Sequence, residues 1–111
     1  MKFSLLKTLR ENSKNYLKKY DSIVQDLTNI INELSTNPKL GIPLGKNCYK
    51  IRFAIKSKSK GKSGGGRIIS YVQFINKQAY LLDIYDKSEQ NTISDEELIY
   101  LIELLLRDDK S

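Results

Sequence analysis

The chain has 111 residues, 40% hydrophobic and 29% charged, a composition typical of a single globular domain spanning residues 1–111. No window approaches the roughly 18 uninterrupted apolar residues of a membrane span, and Lys7 and Arg10 interrupt the apolar stretch that a signal peptide needs. With no histidine and one cysteine, Cys48, the sequence excludes a Cys/His zinc site and an internal disulfide. We expect a soluble cytoplasmic domain that uses neither a metal nor a cofactor.

The net charge of +6 is unevenly distributed. Residues 34–82 hold ten Lys/Arg and no acid, whereas residues 83–111 hold three Lys/Arg and nine Asp/Glu. An acid-free block of this length repels itself unless an anion lies against it. A solvated basic surface that serves solubility is the alternative. We favour a polyanionic partner, which charge alone does not identify as RNA, DNA or an acidic protein.

The N-terminal third predicts helices. Residues 3–8 suit a short edge strand or a helix start, and residues 12–20 a short basic helix. Apolar positions then recur with helical period and predict a clearer helix; they are Ile23, Val24, Leu27, Ile30, Ile31 and Leu34. The Pro- and Gly-containing run 37–45 predicts its end and a connecting loop.

After that loop the apolar period changes to two over 49–56, which predicts a strand. The β-branched and aromatic run 67–75 and the following run 79–85 predict two more, and the three are expected to be consecutive antiparallel strands. Asn76-Lys77 suits a tight hairpin between the last two. One strand face is shared by Arg67, Ile69, Tyr71 and Gln73, another by Leu81, Asp83, Tyr85 and Lys87, and a third by Tyr80, Leu82, Ile84 and Asp86. If the apolar sides all turn to the helices, an open groove of Lys, Arg and Tyr forms on the outer face.

The rim of that groove is the Lys/Ser/Gly loop 57–66, whose glycines allow either close approach to a phosphate or simply a long hairpin connection. Its Gly-Lys-Ser triplet is no P-loop, because Lys56 stands where the upstream glycine belongs. The last helix starts at a capping box, Ser94 to Glu97, with Ile93 and Leu98 as a hydrophobic staple. It is apolar most of the way round, so it either covers the sheet or docks a partner.

Without histidine, catalysis would rely on Tyr, Lys and Arg, a set that suits phosphodiester chemistry without a metal. Arginine binds phosphate bidentately, while a Lys or Tyr in a positive field can move a proton. The acids near the groove, Asp83, Asp86 and Glu89, more simply serve as salt-bridge partners. Cys48 is expected to be a buried or semi-buried strand residue and not a nucleophile, because no histidine is present to activate it.

Three runs in order resemble one family: 47–52 (NCYKIR), 61–71 (GKSGGGRIISY) and 80–89 (YLLDIYDKSE). They are similar to the RelE/ParE toxin superfamily, and most of all to its HigB-like branch, over about residues 14 to 100. The resemblance implies an α+β fold in which two N-terminal helices pack a small antiparallel sheet of three or four strands, followed by a C-terminal helix. It also implies the toxin of a type II toxin–antitoxin pair.

Such toxins cleave mRNA on the ribosome without a metal, by attack of the ribose 2′-OH on the adjacent phosphate. The resemblance implies mRNA on the ribosome, with rRNA contacts, and a cognate antitoxin as partners. By matched position, Arg67 stabilises the phosphate, and Tyr85 and Lys87 are catalytic or orient the substrate. The resemblance also implies that the loop residues Lys60 and Lys62 contact RNA, and that Lys50 and Arg52 are either structural or contact rRNA. Lys56, on the basic strand face, and Lys58, in the cationic loop, complete the candidate RNA-binding set. The sequence departs from the family pattern at Asp86, inside the Tyr-x-Lys motif, and in the small residues 63–66 before Arg67.

Two other functions stay open: a non-enzymatic gyrase poison of the ParE type, and a degenerate family member that only binds nucleic acid or its partner. The cationic residues on the strands and loop favour the endonuclease. An acidic or helical antitoxin segment laid over the acid-free block would occlude the groove in a salt-sensitive way.

Overall fold

The structure, a computed structural model, describes residues 2–3, 23–54, 65–75, 78–87 and 92–109. Within these ranges one sheet contains β1 (Lys2–Phe3), β2 (Ile42–Gly45), β3 (Cys48–Phe53), β4 (Gly66–Gln73) and β5 (Gln78–Asp86), and the helices are α1 (Ile23–Thr36) and α2 (Asp95–Asp109). The strand order is β1-β5-β4-β3-β2. Neighbours among β2 to β5 are antiparallel, and β1 is parallel to β5. The fold is therefore α+β, built on four antiparallel strands.

Helix α1 covers one face of the sheet. Its buried residues Leu27, Ile30 and Leu34 recur every three or four positions, so they share one side of the helix. They pack against Ile51, Phe53, Ile68, Leu81 and Ile84. The helix predicted from residue 23 is confirmed. The helix predicted over 12–20 lies outside the described residues, so the described part of the chain has one helix, not two, before β2.

Helix α2 covers the opposite face, because it packs against Ile69, whereas α1 packs against the adjacent Ile68. The predicted cap is present: the Glu97 backbone N–H donates to Ser94 Oγ at 3.1 Å. The buried cluster under α2 contains Cys48, Ile69, Tyr80, Leu82, Tyr85, Ile93, Leu98, Leu101 and Leu105. Because α1 packs on one face of the sheet and α2 on the other, neither face is fully open to solvent.

The predicted connecting loop over 37–45 is wrong in its second half, where β2 pairs with β3. Pro43 suggested a loop, yet an edge strand tolerates proline because one of its sides has no strand to receive an N–H. A tight turn joins β2 to β3 through Lys46 and Asn47, with φ of 55° and 62°. Positive φ at both central residues is typical of a two-residue hairpin turn.

A bulge in β5 reverses the predicted alternation of side chains. Ile69 pairs with Asp83 while Ser70 pairs with Leu81, so Leu82 is an extra residue. Leu81 consequently packs under α1 and Leu82 under α2. The predictions that Leu81 shares the face of Tyr85, and that Tyr80 and Leu82 share the face of Ile84, are therefore wrong. The three predicted antiparallel strands themselves are confirmed as β3, β4 and β5.

Candidate functional site

Three candidate side chains lie side by side across the sheet. Arg52 on β3 pairs with Arg67 on β4, and Arg67 pairs with Tyr85 on β5. Directly paired residues of antiparallel strands project from the same face, with Cβ atoms about 5 Å apart. We call Arg52, Arg67 and Tyr85 the cationic row. The structure thus brings together two predicted phosphate-binding groups and the predicted catalytic phenol.

The row changes from exposed to buried along its length. Arg52 is exposed, whereas Arg67 is 3% and Tyr85 2% exposed. Tyr85 belongs to the apolar cluster under α2, together with Ile93 and Leu98. The predicted open groove is therefore wrong at Arg67 and Tyr85, since both are buried and Leu98 of α2 packs in the same cluster as Tyr85. Solvent reaches the row at Arg52.

The guanidinium of Arg67 is buried beside a second cation. One of its nitrogens, Nη1, donates to the Gly66 carbonyl at 2.9 Å. Burial lowers the pKa of Arg67, the neighbouring Arg52 lowers it further, and Tyr85 acts in the opposite direction. An anion placed between Arg52 and Arg67 would offset both the desolvation and the repulsion.

The phenol of Tyr85 is held in its protonated form. Burial raises its pKa, Arg67 opposes that shift, and Asp83 and Glu97 add to it. At neutral pH the side chain is therefore a proton donor and not a base. Its hydroxyl has no hydrogen-bond partner among the described residues. A buried hydroxyl of this kind costs stability, which a ligand accepting its hydrogen bond would recover.

The remaining described candidates lie around the row. Lys87 is half-buried two residues after Tyr85, and its backbone N–H donates to the Gly65 carbonyl at 3.1 Å. Lys50, also half-buried, lies on the same face of β3 as Arg52. The other predicted RNA-binding residues lie outside the described residues; they are Lys56, Lys58, Lys60 and Lys62.

The described acids near the row, predicted to serve as salt-bridge partners, are buried. Asp83 is 2% and Asp86 1% exposed, and Asp83 Oδ1 accepts from the Ile84 backbone N–H at 3.0 Å. Glu89 lies outside the described residues. The sequence marked Glu97 only as a capping residue, and its influence on Tyr85 went unpredicted because it requires the first turn of α2 to lie near β5. No local pattern in the sequence carries that information.

Two glycines before Arg67 have a packing role. A Cβ on Gly65 would collide with the Phe53 carbonyl, and a Cβ on Gly66 with the Phe53 ring. Because Phe53 is part of the buried core, neither contact relaxes cheaply. Close approach between β3 and β4 thus accounts for these two glycines without a bound phosphate.

Cys48 is buried, as predicted, and desolvation raises the pKa of its thiol to about 12. A thiol this weakly acidic is a poor nucleophile at neutral pH. Among the described residues no His/Cys/Asp/Glu group could hold a metal ion. No helix in the described ranges has the length and apolarity to cross a membrane. In comparison with known proteins, no family model matches this chain.

Proposed function

We propose that this protein is the toxin of a type II toxin–antitoxin pair, a cytoplasmic member of the RelE/ParE superfamily that cleaves mRNA on the ribosome without a metal. The three sequence runs that resemble the family support the proposal. Its main support is the pairing of Arg67 with Tyr85, two of the three residues matched to the family's catalytic positions, directly across β4 and β5. Groups that act on one phosphate must lie on one face, and this pair does.

Each group of the row has a distinct role in the proposed reaction. The ribose 2′-OH gives its proton to water and its oxygen forms a bond to phosphorus as the bond to the 5′-oxygen breaks, which leaves a 2′,3′-cyclic phosphate and a 5′-OH. Arg52, exposed, makes the first contact with the RNA backbone, and Arg67 stabilises the additional negative charge on phosphorus. Tyr85 donates its proton to the leaving 5′-oxygen, and Lys87 binds phosphate at the end of the strand.

Burial of the row adds a requirement. Arg67 and Tyr85 are almost inaccessible to solvent, and Ile93 and Leu98 at the start of α2 pack in the same cluster as Tyr85. A phosphate therefore reaches Tyr85 only if the first turn of α2 moves away from β5. RNA bound at Arg52 alone needs no such movement. Under this proposal, RNA cleavage requires movement of α2 and RNA binding does not. The antitoxin blocks RNA binding by covering the acid-free block with an acidic segment.

The test is to express the protein in bacterial cells, with and without the product of the neighbouring gene, and to map the 5′ ends of cellular mRNA. The wild type is expected to produce cuts in phase with the reading frame, and the neighbouring product to suppress them. Arg67→Ala is expected to abolish the cuts and the growth arrest. The matched control is Arg107→Ala, which removes an exposed arginine from α2.

Thermal unfolding of both purified variants establishes that each is folded. A folded Arg67→Ala variant that still cleaves mRNA would contradict the proposed role of this residue. Intact mRNA together with stalled replication would contradict the endonuclease and favour the gyrase poison. Intact mRNA and normal replication would leave the nucleic-acid-binding alternative as the function.

A further inference from the structure

Helix α2 is apolar on more than the side it buries. Leu98, Leu101 and Leu105 face the sheet, whereas Ile99 is 40% and Leu106 38% exposed. Ile99 and Leu106 are seven residues apart and therefore lie on the same side of the helix. Apolar side chains gathered on an exposed helix side, beyond those that the core needs, are typical of an interaction surface.

A cavity of about 310 Å³ adjoins this side of α2. Ile99, Ile102 and Glu103 form its helical wall, and Tyr71 and Lys46 lie opposite. The opposite wall is well supported: the Tyr71 ring stacks on Tyr80 with centroids 6.3 Å apart, and Lys46 belongs to the tight turn between β2 and β3. We call this cavity, with Ile99 and Leu106, the α2 groove.

The edge of the α2 groove is acidic, in contrast to the strands behind it. Helix α2 contains six acidic residues and one arginine. Glu96 and Glu103 are exposed and lie three and four residues from Ile99, so they flank the apolar side chains. Lys46 is the cation among the residues that line the cavity. An occupant that buries apolar surface here therefore meets mainly carboxylates along the helix.

We propose that the α2 groove docks a basic amphipathic helix of a partner protein. Its apolar side would lie on Ile99 and Leu106, and its Lys and Arg side chains would reach Glu96 and Glu103. This site is separate from the cationic row, because Tyr71 and Arg67 are four residues apart on β4, a distance of about 13 Å. It takes a partner of opposite charge to the RNA and the acidic antitoxin segment of the proposed function, and it does not depend on that function.

The probe is a synthetic peptide of about 18 residues, roughly five helical turns, with Leu at positions i, i+3, i+4 and i+7 and Lys on the other side. A second peptide carries Glu in place of every Lys. Binding to the purified full chain is measured by titration calorimetry. The whole protein carries +6 and would repel the Lys peptide, so binding of that peptide requires a local acidic surface.

The wild type is expected to bind the Lys peptide and not the Glu peptide. Glu103→Lys is expected to weaken the Lys peptide by about three- to tenfold. Glu33→Lys, an exposed change of equal charge on α1, is the matched control and is expected to leave the binding unchanged. Leu106→Ser is expected to weaken binding of the Lys peptide, because it removes an apolar contact in the groove. Ile75→Ser, at a 97% exposed apolar residue outside the groove, is expected to leave that binding unchanged.

Equal weakening by Glu103→Lys and Glu33→Lys would overturn the proposal, because the effect would then follow net charge. Tighter binding of the Glu peptide to the wild type would overturn it as well. Sedimentation equilibrium tests the competing occupant: a dimer that dissociates in the Leu106→Glu variant would assign the groove to a second copy of this chain and not to a basic partner.

Discussion

The two faces of the sheet differ in what they bury. Under α1 the described cluster consists of aliphatic side chains and Phe53. Under α2 the cluster also contains a thiol and two phenols, and the buried guanidinium of Arg67 lies in the same face. The bulge in β5 directs Leu82 to the α2 side and so adds its side chain to the second cluster.

This difference separates stability from chemistry. The α1 face gains free energy mainly by removing apolar surface from water, although the Ser70 hydroxyl is buried there too. The α2 face does the same with Leu98, Leu101 and Leu105, yet it also keeps Arg67 and Tyr85 in positions that cost desolvation. Polar groups held at such a cost are typical of functional sites.

Adjacent isoleucines on β4 test whether both faces are true cores. Ile68 points to α1 and Ile69 to α2, and each is 0% exposed. Ile68→Ala and Ile69→Ala are each expected to lower the free energy of unfolding by roughly 2–5 kcal/mol, since both leave a cavity. Urea denaturation measures the two losses. A loss at Ile69 below about 1 kcal/mol would mean that α2 covers the sheet only loosely.

Alkaline pH tests the burial of Cys48 in the α2 face. Burial raises the pKa of this thiol from 9.0 to about 12, so its contribution to stability is full below pH 9 and is lost as pH rises toward 12. That loss amounts to about 4 kcal/mol. The measurement is the free energy of unfolding against pH for the wild type and for Cys48→Ala. The wild type is expected to lose stability more steeply; parallel curves would show that the thiol is accessible to water.

Arg52 tests whether the exposed end of the row contacts RNA. Arg52→Ala is expected to weaken binding of single-stranded RNA about equally for all sequences and to lower the slope of log K against log salt by about 0.7. Lys39→Ala removes the same charge from a lysine that lies over the Phe74 ring, 5.6 Å from its centroid, and serves as the control. Equal effects of the two variants would indicate general attraction to a basic surface.

Much of the fold follows from local patterns in the sequence. The helical spacing of Leu27, Ile30 and Leu34 predicts α1, and the Ser94 cap predicts the start of α2. Strand β3 follows from the alternation of apolar and polar residues, and β4 and β5 follow from their β-branched and aromatic residues. The hairpin of β4 and β5 also follows, and its strand ends pair at Gln73 and Gln78. The pairing of Arg67 with Tyr85 additionally requires the bulge at Leu82, because an unbroken register would pair Arg67 with Ile84. The predicted turn residues Asn76 and Lys77 lie outside the described residues.

Other features depend on pairing and packing that no short window contains. The β5 bulge decides that Leu81 faces α1 and Leu82 faces α2 instead of the reverse. Two adjacent leucines carry no signal for that choice. Strand β2 forms because β3 offers it an edge, although Pro43 suggests a loop. The burial of Arg67 is a further feature of this kind, since alternation alone places a cation in solvent. These are tertiary effects that override local preference.

A pair of hydroxyl deletions compares the two faces with the smallest change in structure. Ser70 Oγ and Tyr85 Oη are both buried without a hydrogen-bond partner among the described residues. Ser70 follows Ile68 by two positions on β4, so both side chains lie on the α1 side of the sheet. Ser70→Ala and Tyr85→Phe are each expected to leave the free energy of unfolding unchanged or to raise it by up to about 1 kcal/mol, since each removes an unsatisfied group. Thermal unfolding checks this; a clear loss of stability would reveal a partner for that hydroxyl.

Cleavage of ribosome-bound mRNA by these two variants tests the assigned role of the cationic row most directly. If Tyr85 donates the proton to the leaving oxygen, Tyr85→Phe is expected to cleave at least about a hundredfold more slowly than the wild type at neutral pH. Ser70→Ala is expected to cleave at the wild-type rate. A folded Tyr85→Phe variant that cleaves as fast as the wild type would contradict the role given to this residue.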